Sequence, residues 1–361
     1  MTRQLAEATD FYAISYHHET MSALPAGKLP NHILEQLLSR IRLTDPRVVV
    51  GPGVGRDAAV IDTGGERLLV AKSDPVTFAA DAIGWYAVHV NANDIACMGG
   101  RPAWFLATVL LPEECAEGLP GEIFSQISDA CDSLGVALVG GHTEVTHGLD
   151  RPIIAGSMLG EVERERLVRP ETARVGDALI LARGIAIEGT SVLAREKREA
   201  LAELGVPNDA LDRAAAYLHD PGISVVSAAR AICDAVPVRA LHDPTEGGLA
   251  TALNEVAAAC SLGIEVDGAA IDVLPETLAI CEAAGLDPLG MLASGALLAV
   301  VPDGDSDAAI AALNAAAAPA RRIGSMVASK DGVIMAVNSG RRAVPTFARD
   351  EVARFLSGRP G

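Results

Sequence analysis

Apolar residues follow two alternating patterns along this chain, and each pattern predicts a different element. Residues 29–42 and 84–98 carry apolar side chains at intervals of three and four, which predicts helices with one buried face. Shorter apolar runs are typical of buried strands, as in RVVV, RLLVAK and AWFLATVLL. Because strands and helices alternate from end to end, the pattern predicts an α/β or mixed α+β fold.

The second half of the chain continues this alternation after a charged segment. Strands are predicted in DALILARG and VRALHD, and helices around 186–203, around 222–235 and over GGLATALNEVAAAC. The segment ERERLVRPETARVGD is charged and contains proline and glycine, which indicates a domain junction near 161–175. We therefore predict an N-terminal arm over 1–27, a first domain over 28–165 and a second domain over 172–361.

Composition restricts the class of protein. A chain of 361 residues suits two domains, and its core must be aliphatic, because 50% of the residues are hydrophobic but only 3% are aromatic. The net charge of −18 argues against general binding to nucleic acid or to an anionic membrane. No signal-like or spanning apolar run is visible and the six cysteines form no CxxC pair, so we expect a cytoplasmic protein with reduced, mostly buried cysteines.

The glycine-rich segment GPGVGRD, residues 51–57, does not match the common nucleotide-binding fingerprints. A dinucleotide fingerprint requires glycine where Arg56 stands, and a phosphate-binding loop requires lysine followed by serine or threonine. Taken alone, the segment is equally compatible with a turn that needs glycine torsions.

Five acidic residues stand where a carboxylate is easily held at the end of an element. They are Asp57 after the glycine-rich segment, Asp74 at a predicted strand end, Asp94 on a polar helical stripe, Glu144 after two glycines and Asp243 before a helix. If these carboxylates converge, they form a hard-cation site that suits Mg²⁺ bridging nucleotide phosphates. Taken singly, each is also compatible with a helix cap or a turn.

Two segments place paired glycines beside hydroxyl or acidic side chains. In GGHTEVTH, Gly140 and Gly141 allow the backbone to approach a ligand closely, and the Thr143 hydroxyl can meet phosphate oxygens. In HDPTEGGLATALNEV, the glycines stand at the start of an amphipathic helix, where backbone amides and the helix dipole favour an anion. The alternative for this second segment is an ordinary helix start, with Asp243 or Thr245 as the cap.

Taken in order, these segments resemble the AIR synthase (PurM-like) superfamily. The matching motifs are GVGRDAAVID, SDPVTF, NANDIACMGGRPAW, GGHTEV, HDPTEGGLATALNEVA and ASGALLAV, and they extend over nearly the whole chain from about Lys28. Each motif alone is weak, but the ordered set is specific. Within the superfamily, the motifs are most similar to those of the hydrogenase maturation subfamily HypE.

The resemblance implies a PurM-like two-domain fold, with an N-terminal sheet that pairs in a homodimer and a C-terminal α/β sandwich domain. It also implies binding of ATP with Mg²⁺ and phosphorylation of an amide- or carbonyl-type oxygen on a small molecule or a protein-borne carboxamide. By this resemblance, Mg²⁺ is held by Asp57, Asp74 and Asp94, the nucleotide site is lined by Asn91, Gly140, Gly141, Thr143 and Asp243, and the transferred phosphate contacts Lys72 and His142. Apart from the resemblance, Lys72 also fits a surface lysine and His142 a turn histidine.

This sequence departs from the pattern of the superfamily at three places. Arg56 replaces an acidic residue of the motif GDDAAV or GEDAAV, which affects one metal contact, and GGHT stands where HypE usually has GGDT. The printed sequence ends FLSGRPG, without the terminal cysteine that accepts the carbamoyl group in HypE, so we expect a different acceptor. The alternatives are a small-molecule kinase resembling thiamine-monophosphate kinase and a non-catalytic assembly partner that keeps the fold.

Overall fold

The computed structural model describes residues 27–338 and 340–358, so the arm predicted over 1–27 lies outside the described residues except for Gly27. Two sheets with helices packed on them make up this part of the chain. The helices are α1 (Asn31–Leu38), α2 (Ile83–Cys97), α3 (Leu119–Leu134), α4 (Ile187–Glu196), α5 (Arg198–Glu203), α6 (Asn208–Ala216), α7 (Val226–Ala235), α8 (Gly248–Cys260), α9 (Pro275–Ala284), α10 (Ser306–Ala315) and α11 (Glu351–Leu356). The strands are β1 (Val48–Val50), β2 (Ala59–Ile61), β3 (Arg67–Val76), β4 (Arg101–Pro112), β5 (Ala137–Thr146), β6 (Ile153–Glu163), β7 (Ala178–Ala182), β8 (Ala240–His242), β9 (Gly263–Asp267), β10 (Leu297–Val301), β11 (Ala320–Val327), β12 (Val333–Val337) and β13 (Gly340–Ala343).

The first sheet has the strand order β1-β2-β3-β6-β4-β5. Strand β6 is antiparallel to both of its neighbours, β3 and β4, whereas β4 and β5 are parallel, because α3 forms the crossover between them. Buried and partly buried residues alternate along β4 and β6, so one face of the sheet points into the core. On that face lies α2, which is buried along almost its whole length.

The second sheet has the order β13-β12-β9-β11-β7-β10-β8, and its middle strands β7 and β10 are buried on both faces. Alternate residues of β7 therefore enter different cores. Leu181 packs in a core with Leu253 of α8, whereas Ile180 packs in a core with Ile232 of α7 and Leu313 of α10. This half of the chain is accordingly a sheet with helices on each side.

The two halves are joined by residues 164–177 and also pack directly on each other. One hydrophobic core contains Ile83 and Tyr86 of α2 together with Ile187 and Leu193 of α4. The buried Asn93 side chain reinforces this contact, because its Nδ2 donates to the Ile223 carbonyl at 2.9 Å and its Oδ1 accepts from the Val225 amide at 2.8 Å. Helix α2 is thus packed against both halves of the protein.

Two local predictions about candidate site residues are wrong. The strand expected to end before Ser73 continues to Val76, so Asp74 lies inside β3 and not at its end. The predicted turn at Gly140–Thr143 is part of β5, where these residues pair with β4 from Leu106 to Val109. Gly141 has a φ of 148° there, and a Cβ would collide with the Ala107 carbonyl. Glycine at this position therefore allows β5 to approach β4 closely.

The helix expected around 186–203 is divided into α4 and α5, and α6 has no counterpart in the sequence prediction. None of the helices within residues 27–338 and 340–358 has the length and apolar character that a membrane span requires.

Candidate active site

A cavity of about 850 Å³ opens between the two halves of the chain and is lined by both. Its volume falls within the range of roughly 300–1,000 Å³ that is typical of small-molecule sites. Many of its lining side chains are ionisable. The first half contributes Asp57, Lys72, Asp74 and Asp94, and the second half contributes Glu188, His242, Asp243 and Glu255.

Lys72 lies between two carboxylates on one wall of this cavity. Its Nζ is 3.2 Å from Asp74 Oδ2 and 3.2 Å from Asp94 Oδ2. Lys72 and Asp74 are two residues apart on β3 and so share a face of the sheet, and Asp94 approaches them from α2, which packs on that face. Burial alone would lower the pKa of Lys72, but the carboxylates of Asp94 and Asp74 raise it overall, so its ammonium group stays charged.

Asn91 fixes the backbone of Asp74. Its Oδ1 accepts from the Asp74 amide at 2.9 Å, while its Nδ2 donates to the Asp74 carbonyl at 3.2 Å and to the Ala87 carbonyl at 2.9 Å. The Asn91 side chain fits because residue 156 on the neighbouring strand is glycine, where a Cβ would collide with Nδ2. Asn91 therefore acts on the site as a positioning residue, with its own side chain fully buried.

A chain of ion pairs, buried except for Lys28 at its outer end, connects the second half to Asp57. His242 Nδ1 lies 2.7 Å from Asp57 Oδ1, His242 Nε2 lies 3.0 Å from Glu255 Oε2, and the other Glu255 oxygen is paired with Lys28. Burial alone would lower the pKa of His242, but Asp57 and Glu255 raise it well above its ordinary value. Burial alone would raise the pKa of Glu255, but His242 and Lys28 lower it to about 2, so Glu255 stays negatively charged beside the positive His242 ring.

Asp243, beside His242, points its carboxylate toward the same region. Burial and the nearby Asp57 raise the pKa of Asp243 to about 7, against an opposing effect of His242. Its Oδ1 accepts from the Cys97 thiol at 3.6 Å. Burial also raises the pKa of Cys97, and Asp243 adds to this effect, so the thiol carries its proton.

A second acidic group lines the part of the cavity that α4 and α11 contribute. Glu188, near the start of α4, is buried, and burial raises its pKa to about 7, with the negative charge of Asp350 adding to the shift. Burial likewise raises the pKa of Asp350 to about 7, although its carboxylate accepts from the Gly247 and Val352 amides. Apolar side chains of Val192, Leu292 and Leu356 complete this part of the lining.

The predicted site residues therefore fall into two groups. Asp57, Lys72, Asp74, Asp94 and Asp243 line one cavity, with Asn91 directly behind Asp74. The residues of β5 do not line it. Gly140, Gly141, His142 and Thr143 are exposed on the edge strand of the first sheet, where His142 Nε2 lies 3.1 Å from Glu144 Oε2.

Four residues of the site have no counterpart in the sequence prediction. They are Lys28, His242, Glu255 and Glu188. His242 stands directly before Asp243 in the motif HDPTEGG and is the only one of the four next to a predicted site residue. Glu255 belongs to the site because α8 brings it into contact with His242. The two residues are 13 positions apart, and the sequence around them does not predict this contact.

The set of donor atoms fits a hard divalent cation with a phosphate ligand. Carboxylate oxygens of Asp57, Asp74 and Asp94 are the ligands that Mg²⁺ prefers, and it commonly takes its remaining ligands from water and substrate phosphates. The Lys72 ammonium group can contact a phosphate oxygen as a point charge. Arg56 lines the same cavity, but its Nη1 donates back to the Gly51 carbonyl at 3.2 Å. Such an arrangement is suited to holding a polyphosphate and stabilising charge on a transferred phosphoryl group.

Comparisons with known proteins match both halves of the chain. The family model "AIR synthase related protein, N-terminal domain" matches residues 55–162, and "AIR synthase related protein, C-terminal domain" matches residues 174–337. The carbamoyl dehydratase HypE of Rhizobium leguminosarum bv. viciae is 32% identical over 315 residues, which cover 83% of this chain and 86% of that protein.

Two solved structures share the fold. The hydrogenase maturation protein HypE in complex with ATP superposes with a TM-score of 0.64 at 24% identity, over 91% of this chain and 98% of that one. The thiamine monophosphate kinase of Aquifex aeolicus superposes with a TM-score of 0.62 at 20% identity, over 77% of this chain and 90% of that one. The two-domain PurM-like fold expected from the ordered motifs is confirmed.

Proposed function

Because the chain belongs to the AIR synthase related protein family, we propose that its interdomain cavity binds ATP with Mg²⁺ and transfers the γ-phosphoryl group to an amide- or carbonyl-type oxygen. The acceptor is a carboxamide on a small molecule or on a protein. The observation that carries this proposal is that Asp57, Asp74 and Asp94 line one cavity, where Lys72 lies between Asp74 and Asp94.

We assign a distinct role to each of these residues and to two residues near them. Asp57, Asp74 and Asp94 hold Mg²⁺, which, when bound, neutralises the phosphate charge and aligns the triphosphate. Lys72 contacts the transferred phosphoryl group, and Asp243 lines the nucleotide site from the second half. Asn91 keeps the Asp74 backbone in place through two hydrogen bonds and does not need to touch the ligand.

Phosphorylation of a carboxamide oxygen converts a poor leaving group into phosphate. Loss of that phosphate and of the two amide protons then gives a nitrile, which amounts to dehydration of the amide. Glu188 lies in the same cavity with a pKa raised to about 7 by burial, and is the residue we assign to accept a proton from the amide nitrogen. The relative from R. leguminosarum carries the name carbamoyl dehydratase, which supports this class of reaction.

We assign the predicted site residues of β5 to a homodimer, in which they contact the nucleotide site of the partner copy. β5 pairs with β4 along one side and ends the strand order of the first sheet, and its Val139 and Val145 are 53% and 59% exposed. We propose that the first sheets of two copies meet along this edge. In that arrangement Gly140, Gly141, His142 and Thr143 of one copy line the nucleotide site of the other, with His142 beside the transferred phosphate.

The second candidate is phosphorylation of a small molecule without dehydration. The structural similarity to a thiamine monophosphate kinase favours it, since both activities use ATP but differ in the acceptor and in the fate of the phosphorylated product. Product analysis separates them, because a kinase releases a stable phosphorylated product, whereas a dehydratase releases free phosphate and a nitrile.

Isothermal titration calorimetry tests nucleotide binding directly. The wild-type protein with Mg²⁺ is expected to bind ATP, and Asp74→Asn to bind it at least roughly tenfold more weakly, because one carboxylate ligand is lost. Asp129→Asn, an exposed change on α3, is the matched control and should bind as the wild type does. Undetectable binding by the wild type would contradict the proposal. ADP release in the presence of carboxamide acceptors then distinguishes a catalyst from a non-catalytic assembly partner.

A further inference from the structure

Two carboxylates that line the cavity and a thiol converge from three different segments of the chain. Cys97 ends α2, Asp57 ends the glycine-rich segment, and Asp243 follows β8. One ligand atom from each of these residues lies within 4.8 Å of the other two. All three side chains are at least nine-tenths buried, so this is an internal cluster and not a group of surface charges.

The spacing of the thiol and the carboxylate suits a tetrahedral metal ion. Zinc binds a thiolate at about 2.3 Å and a carboxylate oxygen at about 2.0 Å, so two such ligands at a tetrahedral angle stand about 3.5 Å apart. The observed distance between Cys97 Sγ and Asp243 Oδ1 is 3.6 Å. These two atoms therefore need almost no movement to share one ion.

The second carboxylate oxygen of Asp243 is an independent sign that this cluster takes a ligand. Within residues 27–338 and 340–358, Asp243 Oδ2 is buried and has no hydrogen-bond partner, although Asp243 is only 1% exposed. A buried carboxylate oxygen without a partner is costly unless something else satisfies it. A cation bound to this carboxylate through both oxygens would satisfy it.

The surroundings of Asp57 resemble the outer shell of a metal site. His242 Nδ1 lies 2.7 Å from Asp57 Oδ1, and Glu255 in turn contacts His242 at 3.0 Å. Contacts of this kind orient a ligating carboxylate and leave its other oxygen available. Asp57 and Asp243 also line the cavity, so an ion on this cluster would have a fourth position open to a water molecule or a phosphate oxygen.

We propose that Cys97, Asp57 and Asp243 form a binding site for a thiophilic divalent cation of the zinc type. On binding, the Cys97 thiol loses its proton to solvent and the thiolate sulfur donates its electron pair to the ion. The site is chemically different from the proposed Mg²⁺ site, because a hard cation does not select a thiolate. It shares Asp57 with that site and Asp243 with the proposed nucleotide site, but it does not depend on the proposed function, and it can be tested with the metal alone.

Cobalt(II) is a suitable probe, because it takes zinc sites and gives a near-ultraviolet charge-transfer absorption only when a thiolate is bound. Titration of the wild-type protein with Co²⁺ is expected to produce this band and to saturate at one equivalent, and added Zn²⁺ should remove it. Cys97→Ala should abolish the band, and Asp243→Asn should weaken Co²⁺ binding at least roughly tenfold. Cys260→Ala, a change of another buried cysteine on α8, is the matched control and should keep the band.

Two results would overturn the proposal. One is a wild-type protein that shows no thiolate-to-cobalt band, in which case the Cys97 thiol merely donates a weak hydrogen bond to Asp243. The other is a band of equal intensity in Cys97→Ala, which would assign it to another cysteine. Circular dichroism of each variant controls for folding. ATP titration of Cys97→Ala separates this outcome from the proposed function, because nucleotide binding should persist when the thiophilic site is lost.

Discussion

His242 Nδ1 lies 2.7 Å from Asp57 Oδ1 and thereby links the second half of the chain to the glycine-rich segment of the first. Both side chains are buried, and the only polar contact of the other His242 nitrogen within residues 27–338 and 340–358 is Glu255. The position of Asp57 in the cavity is therefore set by residues from both halves of the protein.

Glu255→Gln tests the contribution of this buried chain to stability. The change removes a negative charge between His242 and Lys28, so the positive His242 ring loses one of its two carboxylate partners. We expect the free energy of unfolding to fall by about 3–5 kcal/mol, as is typical when one member of a buried ion pair is lost. Urea denaturation measures it, with the exposed Glu203→Gln as control. A loss below about 0.5 kcal/mol would show that the chain contributes little.

Lys72→Met separates phosphate contact from metal binding. The variant lacks the ammonium group that lies 3.2 Å from both Asp74 and Asp94, so the cavity wall becomes more negative. We expect Mg²⁺ to bind at least as tightly as in the wild type, whereas ATP turnover falls roughly 100-fold or more, because the contact to the transferred phosphate is lost. The exposed Lys330→Met should change neither quantity. Unchanged turnover in Lys72→Met would remove Lys72 from the reaction.

Val139→Lys tests the homodimer. It places a charge on the exposed edge strand β5, where the first sheets of two copies are proposed to meet. Light scattering is expected to give the wild type twice the chain mass of 37.2 kDa and the variant the mass of one chain. Val175→Lys changes an equally exposed valine outside the sheets and should leave the mass at that of the wild type. A monomeric wild type would refute this part of the proposal.

Glu188 gives the stability of the protein a pH dependence of known sign. Burial raises its pKa from 4.5 to about 7 in the folded state, so between these values the folded chain binds a proton that the unfolded chain has lost. The contribution of this group to stability is thus full below about pH 4.5 and is lost as the pH rises to about 7. Relative to Glu188→Gln, the wild type should lose up to roughly 3 kcal/mol of unfolding free energy over this window. Denaturation at a series of pH values measures the difference, and parallel curves for the two proteins would contradict it.

The sequence predicts the fold well where motifs are local. The ordered segments from GVGRDAAVID to ASGALLAV lead to the superfamily, and the family match and both sheets confirm it. Gly140 and Gly141 show where local reasoning fails. Paired glycines suggest a turn, but here they allow β5 to pass close to β4, and this depends on a strand more than 30 residues away in the chain.

In the candidate site too, contacts between residues far apart in the chain could not be predicted from the sequence. Asp57, Asp74 and Asp94 can be chosen from the sequence because each lies in a motif, and their roles as metal ligands remain predictions. The side chains that contact these carboxylates cannot be identified from sequence motifs. His242 is 185 residues from Asp57, and nothing near either residue in the chain signals that they meet. Cys97 shows the same difficulty, because its neighbours in sequence are apolar and predict only a core cysteine.

The two hydrogen bonds of Asn93 have a mechanical consequence. They join α2 to the backbone of residues 223–225, and Ile223 also belongs to the hydrophobic core that α2 and α4 share. The peptide connection through residues 164–177 is therefore not what keeps the cleft assembled. A chain nicked by a protease within that segment should still migrate as one species under native conditions, and its two fragments should separate only when denaturant breaks the contacts of α2.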